Sequence, residues 1–117
     1  MGTSVKFNVI IPTRERADVL LHCLRTVVMQ DYEDLTIIVS DNFSQDNTRQ
    51  VVDSFHDPRI KYVNTGKRVR MSHNFEFALS HVKDGWVTIL GDDDGLLPDA
   101  LTTVAGVIKK TGCQAII

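Results

Sequence analysis

The chain has 117 residues, 43% of them hydrophobic and 24% charged, with a formal net charge of −2. That length suits one domain with a buried core, and the near balance of charge excludes a general nucleic-acid binder. No apolar run approaches the roughly 18 residues that cross a bilayer, and residues 1–6 are too polar for a secretory signal. Cys23 and Cys113 lack metal-ligand or disulfide-framework spacing, so they read as reduced thiols of a cytoplasmic protein.

Phe7, Val9, Ile10 and Ile11 form a β-rich run that Pro12 is expected to stop. From about Arg16 the spacing Leu20, Leu24, Val27 and Val28 predicts a helix. Residues 35–40 predict a second strand, after which Ser44 or Asp46 is placed to cap a helix carried by Val51, Val52 and Phe55 and ended by Asp57 and Pro58. Residues 60–63 predict a third strand, and Met71, Phe75, Ala78, Leu79 and Val82 the face of a third helix. Residues 86–90 predict a fourth strand. Pro98 opens a fourth helix along Leu101, Val104, Ala105 and Ile108, closed by Thr111 and Gly112. Residues 114–117 predict a further strand, at whose edge a second copy would pair as a homodimer.

This alternation predicts an α/β fold, an open and mainly parallel sheet with helices on both faces. Ligands of such sheets sit outside the carboxyl ends of the strands, where strand order reverses. The polar segments fall there. Pro12, Thr13, Arg14 and Glu15 follow the first strand, Asp41, Asn42, Phe43 and Ser44 the second, and Asp92, Asp93 and Asp94, between Gly91 and Gly95, the fourth. Three successive carboxylates concentrate charge that a Mg²⁺ or Mn²⁺ ion would relieve, sharing its other positions with phosphate. The alternative is an acidic turn that only caps the next helix. Thr13, Asp41 and Asn42 offer hydrogen bonds to a base or ribose, although Asp41 to Ser44 also reads as an Asx-type turn. Lys67, Arg68, Arg70 and His73 lie before the third helix on the same rim, suited either to a diphosphate or to solvent. Asn74 is placed to orient a neighbouring carboxylate or loop, whereas His22, His56 and His81, on predicted helices, read as surface or packing residues.

Taken together, residues 9–14, 37–46, 73–74 and 90–101 resemble the nucleotide-binding half of family 2 glycosyltransferases, which have the GT-A fold, Rossmann-like in this half. The resemblance implies a UDP-, GDP- or dTDP-sugar donor, Mg²⁺ or Mn²⁺, and inverting transfer to a hydroxyl of a glycan, lipid-linked or protein acceptor. It implies nucleoside contacts from Pro12 and Thr13 and base or ribose contacts from Asp41 and Asn42; with Arg14, Arg68, Arg70 and Asp92 these make up the expected nucleotide site. Asp93 takes the part of the metal-binding acid, with Asp92 or Asp94 beside it.

Three positions depart from the family's pattern. Gly91 stands where a first acid is common, Asn42 where many members have a second Asp, and Phe43 where they have Gly. The family's acceptor-binding portion and catalytic base lie further along, so residues 1–117 are expected to be the donor-binding part of a domain truncated at the C-terminus. Donor binding with little or no turnover follows, in the cytoplasm or at the cytoplasmic face of the membrane for the full-length protein. The rival readings are a nucleotidyltransferase acting on a sugar phosphate, which would want glycine within residues 12–16, and a non-catalytic nucleotide-binding module.

Overall fold

In the computed structural model, which describes residues 4–116, β1 (Phe7–Thr13), β2 (Leu35–Asp41), β3 (Ile60–Asn64) and β4 (Trp86–Ile89) form one parallel sheet in the order β3-β2-β1-β4. The helices are α1 (Ala17–Val28), α2 (Thr48–Asp53), α3 (Met71–Leu79) and α4 (Ala100–Thr111). The chain steps outward from β1 to β3 and then returns to the other side of β1 for β4, so the reversal of strand order lies between β1 and β4.

Strand periodicity decides which residues meet which layer. Val9 and Ile11 of β1 and Ile37 and Val39 of β2 join Leu20, Leu24 and Val27 of α1, Val52, and Leu101 and Ala105 of α4 in one core. Ile10 and Ile38 point the other way, against Ala78 of α3 and the half-buried Val63 and Val82. On that second face β4 is thinly covered, and Val87 and Ile89 are 40% and 49% exposed.

Several boundaries differ from expectation for local reasons. Pro12 does not stop β1, which continues to Thr13 with Pro12 opposite Ser40 and Thr13 opposite Asp41. The backbone of Ile10 faces β4, where its carbonyl accepts from Leu90, so the absent N–H of Pro12 faces that side too, beyond the last paired residue of β4. The second helix is short and ends at Asp53, leaving Phe55 in a turn; Asn47 precedes it without a side-chain cap, and of the two expected caps Asp46 meets the first helical amide and Ser44 does not. Ser44 instead accepts a hydrogen bond from the Glu15 amide, and Asp46 accepts from the amides of Ala17 and Thr48 at 3.2 and 3.1 Å. These bonds tie the loop after β2 to the start of α1. The buried residues of α3 are Asn74 and Ala78, while Met71 and Leu79, expected on its inner face, are 71% and 46% exposed. His56 lies in a turn at φ 52° and His81 just beyond α3.

The fourth helix starts at Ala100, because the Gln30 side chain holds the segment before it. Its amide donates to the Leu97 carbonyl at 2.7 Å and its oxygen accepts from the Leu101 amide at 3.2 Å, leaving Pro98 in the approach turn. Gly112 closes the helix at φ 66°. Beyond it, Gln114 to Ile116 form no strand, and Ile117 lies outside the described residues. Among the described residues the sheet edge on that side is β4. Among the described residues no helix is long and apolar enough to cross a membrane.

Arg59 joins the end of α1 to the sheet. Its guanidinium donates to the carbonyls of Val28, Gln30 and Tyr32 at 2.7, 3.0 and 2.7 Å and to Asp57 at 2.8 Å. The Arg59 hydrogen bond holds the Asp57 carboxyl below the usual carboxylate range. A carboxyl depressed in the folded state contributes stability above its unfolded value near pH 4, and loses it as pH falls through the folded value. Arg59→Met is expected to lower unfolding stability by about 2–4 kcal/mol, since buried carbonyls lose charged donors, and to flatten the acid limb of the stability profile. Urea unfolding between pH 3 and 7 checks this; a loss under about 0.5 kcal/mol would contradict the clamp.

Candidate functional site

Because β1 pairs in parallel with both β2 and β4, their carboxyl ends open onto one rim. A cleft of about 770 Å³ lies there, within the usual size of a small-molecule site. Pro12, Thr13, Arg14, Asn42, Arg68, Arg70 and Asp92, seven of the eight sequence-derived nucleotide residues, line it together with Arg16. Asp92 is its one carboxylate among the described lining residues, facing four arginines. That balance of charge suits an anion carrying more than one charge.

The acidic turn is tied to the end of β1. Asp92 is 7% exposed, and its Oδ2 accepts from the Thr13 hydroxyl at 2.9 Å. Its Oδ1 lies 3.4 Å from Nη1 of Arg16, whose Nη2 lies 3.5 Å from Oδ2 of Asp93. One guanidinium thus spans the two carboxylates. Asp94 turns back, its amide donating to the Gly91 carbonyl at 3.0 Å. Two adjacent carboxylates directed at one cation provide the hard oxygen ligands that Mg²⁺ and Mn²⁺ prefer. No cluster of three or more His, Cys, Asp or Glu with metal-ligand geometry occurs among the described residues. The residues present therefore fit an ion that completes its coordination with phosphate and water.

Helix α1 supports this turn from beneath with Cys23 and Thr26, residues spaced to share one helix face, and Gln30, just past its end, continues the support. The Cys23 thiol donates to the Gly91 carbonyl at 3.5 Å, and the Thr26 hydroxyl accepts from the Leu96 amide at 3.0 Å. Burial, and after it the negative charge of Asp92, Asp94 and Asp93, pushes the Cys23 thiol up to about 12. It therefore stays a protonated donor. Gly95 passes so close that a Cβ there would stand 3.1 Å from the Thr26 methyl.

The second loop is organised from within. Asp41 is 1% exposed and does not line the cleft: its Oδ1 accepts from the Ser44 amide at 3.0 Å and its Oδ2 from the Tyr62 hydroxyl at 2.6 Å. Burial and the Asp41 hydrogen bond push Tyr62 up to about 12, so it remains the donor. Arg49 stacks over the Tyr62 ring, 4.6 Å from its centroid. Asn42 donates to the Val69 carbonyl at 2.7 Å and accepts from the Val69 amide at 2.8 Å, fixing the backbone between Arg68 and Arg70. Asn74 accepts from the Ser40 hydroxyl and donates to the Ser40 carbonyl, pinning α3 to the end of β2. Phe43 holds φ 55°, the left-handed region that a glycine enters freely and another residue enters at about 1–2 kcal/mol.

Arg68 and Arg70 make no ion pair among the described residues and reach the cleft, whereas Lys67 and His73 stay outside it. Sequence reasoning passed over Arg16, Tyr62, Thr26 and Gln30. Thr26 and Gln30 were detectable as polar positions three and seven residues after Cys23, the second just past the end of α1, and Arg16 lies two positions beyond Arg14 in one loop.

Asn42→Ala removes both side-chain bonds to Val69. The change is expected to cost about 1–3 kcal/mol and to speed hydrogen exchange at the Val69 amide. Exchange at Val69 as slow as in the parent would show that Asn42 does not hold the basic loop.

A family model described as Glycosyl transferase family 2 matches residues 8–117. A GalNAc(5)-diNAcBac-PP-undecaprenol beta-1,3-glucosyltransferase of Campylobacter jejuni is 39% identical over 102 residues, covering 85% of this chain and 33% of the relative. The crystal structure of S. aureus TarS 1-349 in complex with UDP-GlcNAc superposes with a TM-score of 0.84 at 22% identity, over 92% of this chain and 32% of that one, a likeness of fold. The mannosyltransferase PcManGT of Pyrobaculum calidifontis, in complex with GDP-Man and Mn²⁺, gives a TM-score of 0.75 at 27% identity over 90% of this chain and 32% of its own. The chain spans about a third of the length of each of these proteins. By the extent of the family match, the chain belongs to glycosyl transferase family 2.

Proposed function

We propose that residues 1–117 are the nucleotide-sugar-binding part of an inverting glycosyltransferase, holding a UDP-, GDP- or dTDP-sugar through its diphosphate and a Mg²⁺ or Mn²⁺ ion. The observation that carries this reading is the meeting of Asp92 with Arg14, Arg16, Arg68 and Arg70 in one cleft between the ends of β1 and β4. In support, one relative is named as a glucosyltransferase, and the fold neighbours were solved with UDP-GlcNAc and with GDP-Man and Mn²⁺.

Asp92 and Asp93 would hold the ion, which when bound supplies positive charge against the departing nucleoside diphosphate. Of the two partners that the sequence offered Asp93, Asp92 is favoured by the shared contact with Arg16. Arg14, Arg68 and Arg70 neutralise the phosphates as the glycosidic bond lengthens. Pro12, Thr13 and Asn42 wall the nucleoside end. Asp41 acts from behind that wall, orienting the loop through Ser44 and Tyr62.

Transfer to an acceptor hydroxyl requires a base within hydrogen-bond reach of it. Asp92 is already engaged by Thr13 and Arg16, and no other carboxylate or histidine lines the cleft among the described residues. The described residues therefore bind the donor without turning it over. The acceptor, whether glycan, lipid-linked or protein, and the site of action at the cytoplasmic face of a membrane, belong to the whole protein.

Calorimetry with UDP, GDP and dTDP, each with Mn²⁺ or with a chelator, tests the reading. At least one nucleotide is expected to bind in a metal-dependent way, and Asp93→Asn or Asp92→Asn is expected to weaken it at least about tenfold, in keeping with the loss of a charged ligand. Binding that is indifferent to chelator and to both substitutions would refute it.

A further inference from the structure

Arg16 lines the cleft, but the donor-binding reading assigns it no contact with the diphosphate. It is the residue before α1 and donates no side-chain cap to that helix. Its neighbours fix its backbone: the Glu15 amide donates to Ser44, Glu15 accepts from the Gln45 amide, and the Ala17 amide donates to Asp46. The side chain, 46% exposed, leaves this anchored stretch and lies across Asp92 and Asp93. Its two contacts, 3.4 and 3.5 Å, are longer than the roughly 2.7–2.9 Å of a tight charge-assisted bond. The other oxygen of Asp92 is held by Thr13, so the oxygen facing Arg16 is the one left for a further cation. A guanidinium and a divalent ion compete for those oxygens, since like charges at that separation repel.

We propose that Arg16 is the resident counter-ion of the metal-binding carboxylates, displaced by the incoming divalent cation and thereby released toward the diphosphate. The inference rests on the proposed metal role of Asp92 and Asp93. The pair keeps the two acids aligned before the ion arrives, and its length and exposure make it readily exchanged. Once displaced, the guanidinium stays on the cleft wall with Arg14, Arg68 and Arg70, where a phosphate oxygen is its next partner.

The test compares the parent with Arg16→Gln, and with Arg25→Gln as a control that removes the same charge from the exposed last turn of α1. Mn²⁺ alone is titrated first, with free ion followed by electron paramagnetic resonance, and magnesium pyrophosphate is then titrated by calorimetry at saturating Mg²⁺. Arg16→Gln is expected to bind Mn²⁺ about two- to fivefold more tightly, the size of one exposed ion pair, and to bind magnesium pyrophosphate about threefold or more weakly, as expected for one lost charged contact. Opposite changes in the two affinities are not produced by a residue that only stabilises the loop. Equal or weaker Mn²⁺ binding, an equal change in Arg25→Gln, or undiminished pyrophosphate binding would overturn the proposal. If Mn²⁺ binds neither protein, the metal reading of Asp92 and Asp93 fails and this inference with it. If it binds both equally, the inference alone fails.

Discussion

The hydrogen bond from Thr13 to Asp92 joins the last residue of β1 to the acidic turn after β4, and the site depends on it. Parallel pairing brings the two strand ends to the same rim; the hydroxyl then sets one carboxylate at a fixed place on it. A buried carboxylate needs partners, and Asp92 has Thr13 on one oxygen and Arg16 on the other. Every other feature of the cleft is arranged around this anchored charge.

Rigidity comes from the layer beneath. Helix α1 contributes Leu20, Leu24 and Val27 to the core, while its Cys23 and Thr26, and Gln30 just past its end, bind the backbone of the segment from Gly91 to Leu101. Arg59 binds carbonyls at the end of that helix. The acidic turn therefore stands on a helix fixed at its far end to the sheet. On the opposite wall Asn42 and Asn74 hold the basic loop and α3 by paired amide bonds, so Arg68 and Arg70 extend from a tethered backbone. Ligand-binding loops held this way enter the bound geometry with little ordering cost.

The layers were legible in the sequence because burial imposes periodicity. The alternation through Val9, Ile10 and Ile11 and the helical spacing of Leu20, Leu24 and Val27 report faces that must be apolar. The convergence of the loops was equally legible, since it follows from parallel topology. What the sequence did not carry was the partner of each polar side chain. Asp41 reads as a ligand contact but is spent on Tyr62 and Ser44, and Asn42 is spent on Val69. These partners lie 21 and 27 positions away for Tyr62 and Val69, and no local pattern encodes them. Boundaries were misread where another element overrides local propensity, as when Gln30 sets the start of α4 and Pro12 falls on a side of β1 that asks for no donor.

The central claim is that one metal-nucleotide site lies between the ends of β1 and β4. Paramagnetic broadening of backbone amide resonances by Mn²⁺ in the presence of nucleoside diphosphate tests it most directly. The account predicts broadening centred on Thr13, Arg16 and Gly91 to Gly95, reaching Val69 and falling off toward Val104 and Ala115 in the groove at the other end of β4. Broadening centred on that groove, or none at saturating ion and nucleotide, would contradict it.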